Sequence, residues 1–303
     1  MNVAHAIDAF LENHDVLASS KETYHRSLQN FFQWLDDNKI FEPKPEHITA
    51  YKTYLTKKKL SPLSISSYLI AVKQFFRWAQ GSGVYSNIAE HVKAGSGSKK
   101  GWFGKDALTA EQVITMLSSI DRTSPVGLRD YAMMNLMVRV GLRSIEVVRA
   151  NIEDLQQKDN RHILWVQGKG RLAKDEFVVL NTDSLEPIKD YLRTRPSSRA
   201  HSPLFVSASN RNNDERLTTR SIRRVAKNIF KDIDLDSPRL TCHSLRHTAV
   251  TLALKGGAPI RQTQRMARHA SVLTTERYAH DLETLESPAE DAVAEILKLT
   301  KKR

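Results

Sequence analysis

The chain has 303 residues, with 46 Lys and Arg against 34 Asp and Glu, a formal net charge of +12. That length suits two domains with sizeable cores, and the basic excess fits a polyanionic partner such as nucleic acid. A single cysteine, Cys242, rules out an intrachain disulfide, and no apolar run reaches the roughly 20 residues that cross a bilayer. No basic segment followed by an apolar stretch marks a signal peptide, so the expectation is a soluble cytoplasmic protein with no membrane partner.

The charge is uneven. Residues 1–93 hold 11 basic and 9 acidic side chains, and the rest of the chain holds 35 and 25. The first segment reads as four helices. One is predicted over 3–17. A second follows a Ser19/Glu22 capping pattern and carries Tyr24, Leu28, Phe31, Phe32 and Leu35 at helical spacing. A third begins near Pro45 with Ile48, Tyr51 and Leu55. A fourth follows Ser61-Pro62 with Ile65, Leu69, Val72, Phe75 and Phe76, and stops at Gly81-Ser82-Gly83. The aromatic stripes read as core rather than as platforms for stacking bases. Lys57, Lys58 and Lys59, with Ser61, Ser64, Ser66 and Ser67, read as a solvated helix end that can also meet phosphates.

Residues 94–106 are rich in Gly, Ser and Lys and mark a flexible basic linker. The expected division is a helical domain over 1–93, the linker, and a second domain over 107–303. Thr109 and Gln112 give another capping pattern. Residues 162–167 and 176–180 are short β-rich runs around the Gly168-Lys169-Gly170 turn signal, and 204–207 is a further strand candidate. Helices are predicted near 184–194, 218–232, 244–255, 260–268 and 273–280. A last one, over 289–300, has Val293, Ile296, Leu297 and Leu299 on an apolar stripe. The fold class is mainly α with a small antiparallel β-sheet.

Three motifs carry the chemistry. Gly-Leu-Arg-Ser-Ile-Glu spans 141–146, His-Ser-Leu-Arg-His spans 243–247, and Arg-His-Ala-Ser-Val-Leu-Thr-Thr-Glu-Arg-Tyr-Ala-His spans 268–280. Arg143 and Arg246 bear permanent charge, and their planar forks match phosphate oxygens bidentately. Attack on a phosphodiester builds charge on its nonbridging oxygens, which fixed guanidinium groups stabilise more in the transition state than in the ground state. Tyr278 can serve as nucleophile if a neighbour takes its proton. Glu146 is placed to orient Arg143. Cys242 shows no sign of thiol chemistry.

In this order the motifs resemble those of the tyrosine recombinases of the phage integrase family, nearest in size and layout to the small Xer-type enzymes. The resemblance covers nearly the whole chain. It implies a helical DNA clamp followed by an α+β catalytic domain. It also implies site-specific cutting and rejoining of double-stranded DNA through a 3′-phosphotyrosyl link, without ATP, metal or cofactor. The catalytic set it implies is Arg143, Lys169, His243, Arg246, His269 and Tyr278. His243 accepts the tyrosine proton, His269 hydrogen-bonds the scissile phosphate, and Lys169 protonates the departing 5′ oxygen. His247 and His280 are expected to be secondary. The resemblance further implies four copies in a synapse, exchanging C-terminal segments, with room for a second recombinase or an accessory protein. Mobile-element roles such as integration, excision or resolution all fit.

Two departures stand out. The turn runs Gly168-Lys169-Gly170-Arg171-Leu172-Ala173-Lys174, longer than usual and without the usual Val-Pro-Leu ending, so Lys174 competes with Lys169. Where the family often has Leu-Gly-His, this chain has Ala267-Arg268-His269, and arginine there needs room and tolerable backbone angles. Two other readings stay open: relaxation of supercoils by a type IB topoisomerase, and a non-catalytic DNA-binding protein of the same fold.

Overall fold

The computed structural model describes residues 3–93, 106–168, 170–209, 214–286 and 289–297. It divides into two compact units, residues 1–100 and 101–303.

The first unit is built on α1 (Val3–Asn13), α2 (Ala18–Asp37), α3 (Pro45–Lys57) and α4 (Pro62–Gly81). The aromatic stripes meet inside it. Phe10, Phe31, Tyr51, Phe75 and Phe76 are each at most 2% exposed. Phe31 meets Tyr51 edge-on at 4.9 Å, and Phe10 meets Phe75 at 5.7 Å, the geometry that ring quadrupoles prefer. The Tyr51 hydroxyl donates to Asn30 Oδ1 at 2.8 Å, which satisfies both groups as they leave water. Ser61 caps α4 by accepting from Ser64 N at 3.1 Å, and Pro62 sits where a helix needs no N–H. The Ser19/Glu22 cap is a correction: α2 starts at Ala18, after Leu17, with no side-chain cap. Ser19 is thus the second residue of the helix, already inside it rather than at its cap.

The second unit contains α5 (Ala110–Ser118), α6 (Pro125–Val140) and α7 (Ser144–Arg149). A sheet of β1 (Leu155–Lys158), β2 (Arg161–Val166) and β3 (Glu176–Leu180) follows. Next come α8 (Thr182–Arg193), α9 (Thr219–Asp232), α10 (Cys242–Lys255), α11 (Ile260–Ala267), α12 (Val272–Glu286) and α13 (Ala289–Ile296). Thr109 and Gln112 form the expected capping box on α5. The sheet is antiparallel in the order β1-β2-β3, with Leu155 opposite Leu164 and Ile163 opposite Val179.

Two helices, α6 and α10, are buried on almost every side along much of their length and form the middle of this unit. Met133, Met134, Leu136 and Met137 on α6 are at most 1% exposed, and Leu245 and Val250 on α10 are fully buried. Helices with so little solvent-facing surface must be surrounded, and the polar side chains they carry must find partners inside. The arginine and the second histidine of the His-Ser-Leu-Arg-His motif, Arg246 and His247, are therefore carried into the interior. The 204–207 strand is a second correction. Only isolated bridges form there, Asn151 to Pro203 and Val206 to Arg216, because Leu204, Phe205 and Val206 pack individually as core. Strand β1 and helix α6 stand outside the sequence expectations. Among the described residues no helix is long and apolar enough to cross a membrane.

Candidate active site

Gly141 ends α6 in the left-handed region, at φ 65° and ψ 36°, where a side chain is disfavoured. The reversal buries Leu142 and makes Arg143 the residue that caps α7. Glu146, three positions on, reaches back: its Oε2 accepts from Arg143 N at 2.7 Å, and its Oε1 accepts from Arg143 Nη1 at 2.8 Å. This is the physical content of Gly-Leu-Arg-x-x-Glu. One carboxylate both starts the helix and aims the guanidinium.

Arg246 approaches from α10 with only 2% of its surface exposed. Its Nη1 donates to Gly141 O at 2.6 Å, and its Nη2 donates to the Ala267 carbonyl. Arg143 Nη2 donates to the next carbonyl, that of Arg268, at 3.3 Å. The two sequence-predicted arginines thus dock on consecutive carbonyls at the end of α11. Those carbonyls lack intrahelical donors and lie at the negative end of the helix dipole, so they hold cations well.

Arg268 itself is the surprise. It adopts φ 50° and ψ 48° after α11, a conformation that costs a non-glycine residue about 1–2 kcal/mol. Its guanidinium is buried against Glu146, with Nη2 2.6 Å from Oε2 and Nε 3.3 Å from Oε1. It also donates to Met266 O at 2.5 Å and to Gly141 O at 3.1 Å. Burial works against the Glu146 carboxylate, but Arg268 and Arg143 outweigh it and hold its pKa below the ordinary carboxylate value. Glu146 is therefore ionised at neutral pH. Burial, together with Arg143 and Arg268, pushes Arg246 down to about 9, which leaves it cationic at neutral pH.

The histidines and the tyrosine pack beside this cluster. Tyr278 lies on α12 and is 6% exposed. Its hydroxyl hydrogen-bonds His247 Nδ1, and the His243 ring stands edge-on to His247 at 4.7 Å. His269 stacks near Tyr278 with ring centroids 6.2 Å apart, and its Nδ1 bonds the buried Thr275 Oγ1 at 2.9 Å. Burial pushes the Tyr278 phenol up to about 12, partly opposed by Arg246. Burial and the surrounding cationic groups push His247 and His269 down to about 4 each. Both rings are neutral at physiological pH. Cys242 is buried, its thiol pushed up to about 12 by that burial, which accords with an inert role.

Five of the six residues singled out in the sequence, Arg143, His243, Arg246, His269 and Tyr278, gather here. Lys169 lies outside the described residues. Its competitor Lys174 is paired with Asp154, Nζ to Oδ2 at 2.5 Å. Asp154 also accepts from Asn151 N at 2.6 Å, and Arg149 holds the start of the turn through Gly168 O at 2.9 Å. Sequence reasoning missed two members. His247, set aside as secondary, is the residue that meets the tyrosine hydroxyl. Arg268 was visible only as a departure from Leu-Gly-His, and its pairing with Glu146, 122 positions away, left no local trace. No group of three or more metal-ligating side chains is gathered among the described residues.

Comparison with known proteins gives the family and the fold. Residues 106–284 match the Phage integrase family, and residues 9–83 match the Phage integrase N-terminal SAM-like domain. The chain belongs to the phage integrase family of tyrosine recombinases. It is similar to a tyrosine recombinase of Synechococcus elongatus, 27% identical with 96% of this chain and 93% of that protein covered. It is also similar to XerD of Listeria monocytogenes, 28% identical over 87% and 88% of the two chains. Among solved structures, the XerH site-specific recombinase bound to palindromic difH superposes with a TM-score of 0.72 at 20% identity, covering 95% of this chain and 85% of that one. The Tn1549 transposon integrase with transposon right end DNA gives 0.70 at 15% identity, covering 95% and 100%. At these identities the two likenesses speak to the fold.

Proposed function

We propose that this protein is a site-specific DNA recombinase that cleaves and rejoins strands through a phosphotyrosine. The observation that carries the reading is the docking of Arg143 and Arg246 on consecutive carbonyls beside Tyr278 and His269. Three guanidinium groups against the single Glu146 carboxylate leave two positive charges. A phosphodiester carries one negative charge, and the pentacoordinate state formed by attack carries two. The pocket therefore favours the transition state over the bound ground state.

In the proposed reaction Tyr278 Oη bonds to phosphorus and its proton passes to a histidine. The P–O5′ bond breaks, leaving a 3′-phosphotyrosine, and the 5′ oxygen takes a proton from Lys169. A 5′-hydroxyl from the partner strand then reverses these steps and releases the tyrosine. His243 lies on the exposed side, where DNA would approach, and is our choice of proton acceptor. His247 holds the tyrosine protonated and buried until DNA arrives. With Thr275 donating to His269 Nδ1, the other ring nitrogen of His269 carries a proton and acts as a neutral donor to a phosphate oxygen. Lys174, held by Asp154, is the less favoured acid. No metal or cofactor is called for.

Duplex DNA as substrate draws support from the structural neighbours, which are recombinases and integrases described in complex with DNA. Assembly of four copies draws support from the C-terminal stripe on α13 and just past it, where Val293, Ile296 and Leu297 are 55%, 83% and 68% exposed. An apolar stripe left open in one copy suits capture by the next. A reducing cytoplasm suits the free Cys242.

The test uses a plasmid carrying two copies of a DNA site selected by binding to the purified protein. Resolution into two circles is expected. Relaxation that ignores the sites would instead favour the topoisomerase reading. DNA binding with no protease-sensitive covalent adduct would favour a non-catalytic binding protein.

A further inference from the structure

We propose that Arg268 is a positioning residue for strand cleavage, a buried guanidinium that clamps Glu146 and the Gly141 carbonyl and through them fixes both Arg143 and Arg246. The inference rests on the recombinase reading. It goes beyond that reading because Arg268 stands where the family pattern often has glycine, and its guanidinium faces the interior rather than the substrate.

Four observations carry it. Arg268 holds both Glu146 oxygens, which are the same two atoms that hold Arg143 N and Arg143 Nη1. Its Nη2 shares the Gly141 carbonyl with Arg246 Nη1. Its own carbonyl receives Arg143 Nη2. It also keeps a left-handed backbone that glycine would adopt freely. A surface arginine would gain nothing in that conformation. Here the disfavoured backbone is tolerated because the side chain neutralises a carboxylate that is entirely buried. Without Arg268, Glu146 would keep Arg143 as its only ion-pair partner among the described residues. A buried carboxylate with less compensation takes up a proton more readily. Once neutral, it would release the guanidinium it aims.

The charged and titratable groups facing Glu146 are Arg143 at the head of α7, Arg268 after α11 and, farther off, Arg246 on α10. His269 and Tyr278 lie beyond them. Only the removal of Arg268 takes away a positive charge without touching a group assigned to the phosphate.

The experiment compares the full-length protein with Arg268→Gly, Arg268→Met and Arg268→Lys in single-turnover cleavage of a nicked suicide duplex, between pH 5.5 and 9. Arg268→Gly relieves the backbone, so it keeps the fold even if Arg268→Met does not. Expected are cleavage slower by about 100-fold at neutral pH with DNA affinity little changed, the scale of a slightly misplaced catalytic group. A new acidic limb should appear, so that the variants recover as pH rises. Millimolar guanidinium chloride should partly restore Arg268→Gly, and Arg268→Lys should fall between. In parallel, the guanidinium N–H signals of Arg143 in the free protein should lose protection in Arg268→Gly, a readout that needs no catalysis. Wild-type rates, an unshifted pH profile and protected Arg143 signals in Arg268→Gly would overturn the proposal. A uniform loss at every pH with no guanidinium rescue and unaltered Arg143 signals would also overturn it. If the wild type forms no adduct, the recombinase reading fails, and the Arg143 signals still decide the role of Arg268.

Discussion

Arg143 and Arg246 are held by geometry that only a planar fork can satisfy. Each spans two acceptors at once, Glu146 and the 268 carbonyl for Arg143, and the 141 and 267 carbonyls for Arg246. A lysine keeps the charge but presents it at a single point. Arg143→Lys and Arg246→Lys should each slow single-turnover cleavage by about 100-fold or more while DNA affinity changes far less. Gel-shift titration alongside cleavage rates checks this. The histidines make a different prediction, about stability. His247 and His269 titrate near 4 in the folded protein and near 6.5 when unfolded. Between those values the unfolded chain binds more protons, so stability is complete above about pH 6.5 and falls as the pH drops toward 4. Thermal unfolding from pH 7 to 5 should show this decline, and His247→Gln should flatten part of it. An unchanged slope in that variant would place the decline elsewhere.

At the level of elements, the active site is an end-to-end meeting of helices. The end of α6, the start of α7 and the end of α11 converge, and α10 and α12 supply the flanking side chains. Gly141 is the pivot, and a Cβ there would face Ala249 Cβ at 3.5 Å and Arg246 Cγ at 3.9 Å. The space is adequate, so the penalty is the left-handed φ. Gly141→Ala should cost about 1–2 kcal/mol in urea unfolding and also slow cleavage, because α7 would start askew. Several elements were legible in the sequence for physical reasons. Helices α3 and α4 carry a clean apolar stripe, a proline start and, in α4, a serine cap. Strands β2 and β3 flank a glycine turn. Helix α6 escaped notice because it is buried all round and so has little periodicity to read. Residues 204–207 look like a strand because a short apolar run is equally good core without a partner. In the site, Arg143, Arg246 and Tyr278 stand out by local motif. The Arg268–Glu146 pair and the Tyr278–His247 bond join segments far apart in sequence, which only the fold brings together.

For the molecule as a whole, most of the basic excess belongs to residues 94–303, since residues 1–93 carry only two more basic than acidic side chains. DNA affinity should fall steeply and linearly on a log–log plot against salt, because bound phosphates release counterions. The C-terminal stripe on α13 and just past it separates assembly from chemistry. Replacing Ile296 and Leu297 by Ser should leave covalent attack on a single suicide site intact while abolishing resolution of a two-site plasmid. Loss of both would mean that the stripe supports the catalytic fold of its own copy. The most direct test of the central claim is to trap the reaction on a suicide duplex, digest the adduct and sequence the peptide attached to the 3′ phosphate. The predicted result is a phosphotyrosine at Tyr278, absent from Tyr278→Phe. An adduct on any other residue, or one that survives in Tyr278→Phe, would contradict the account.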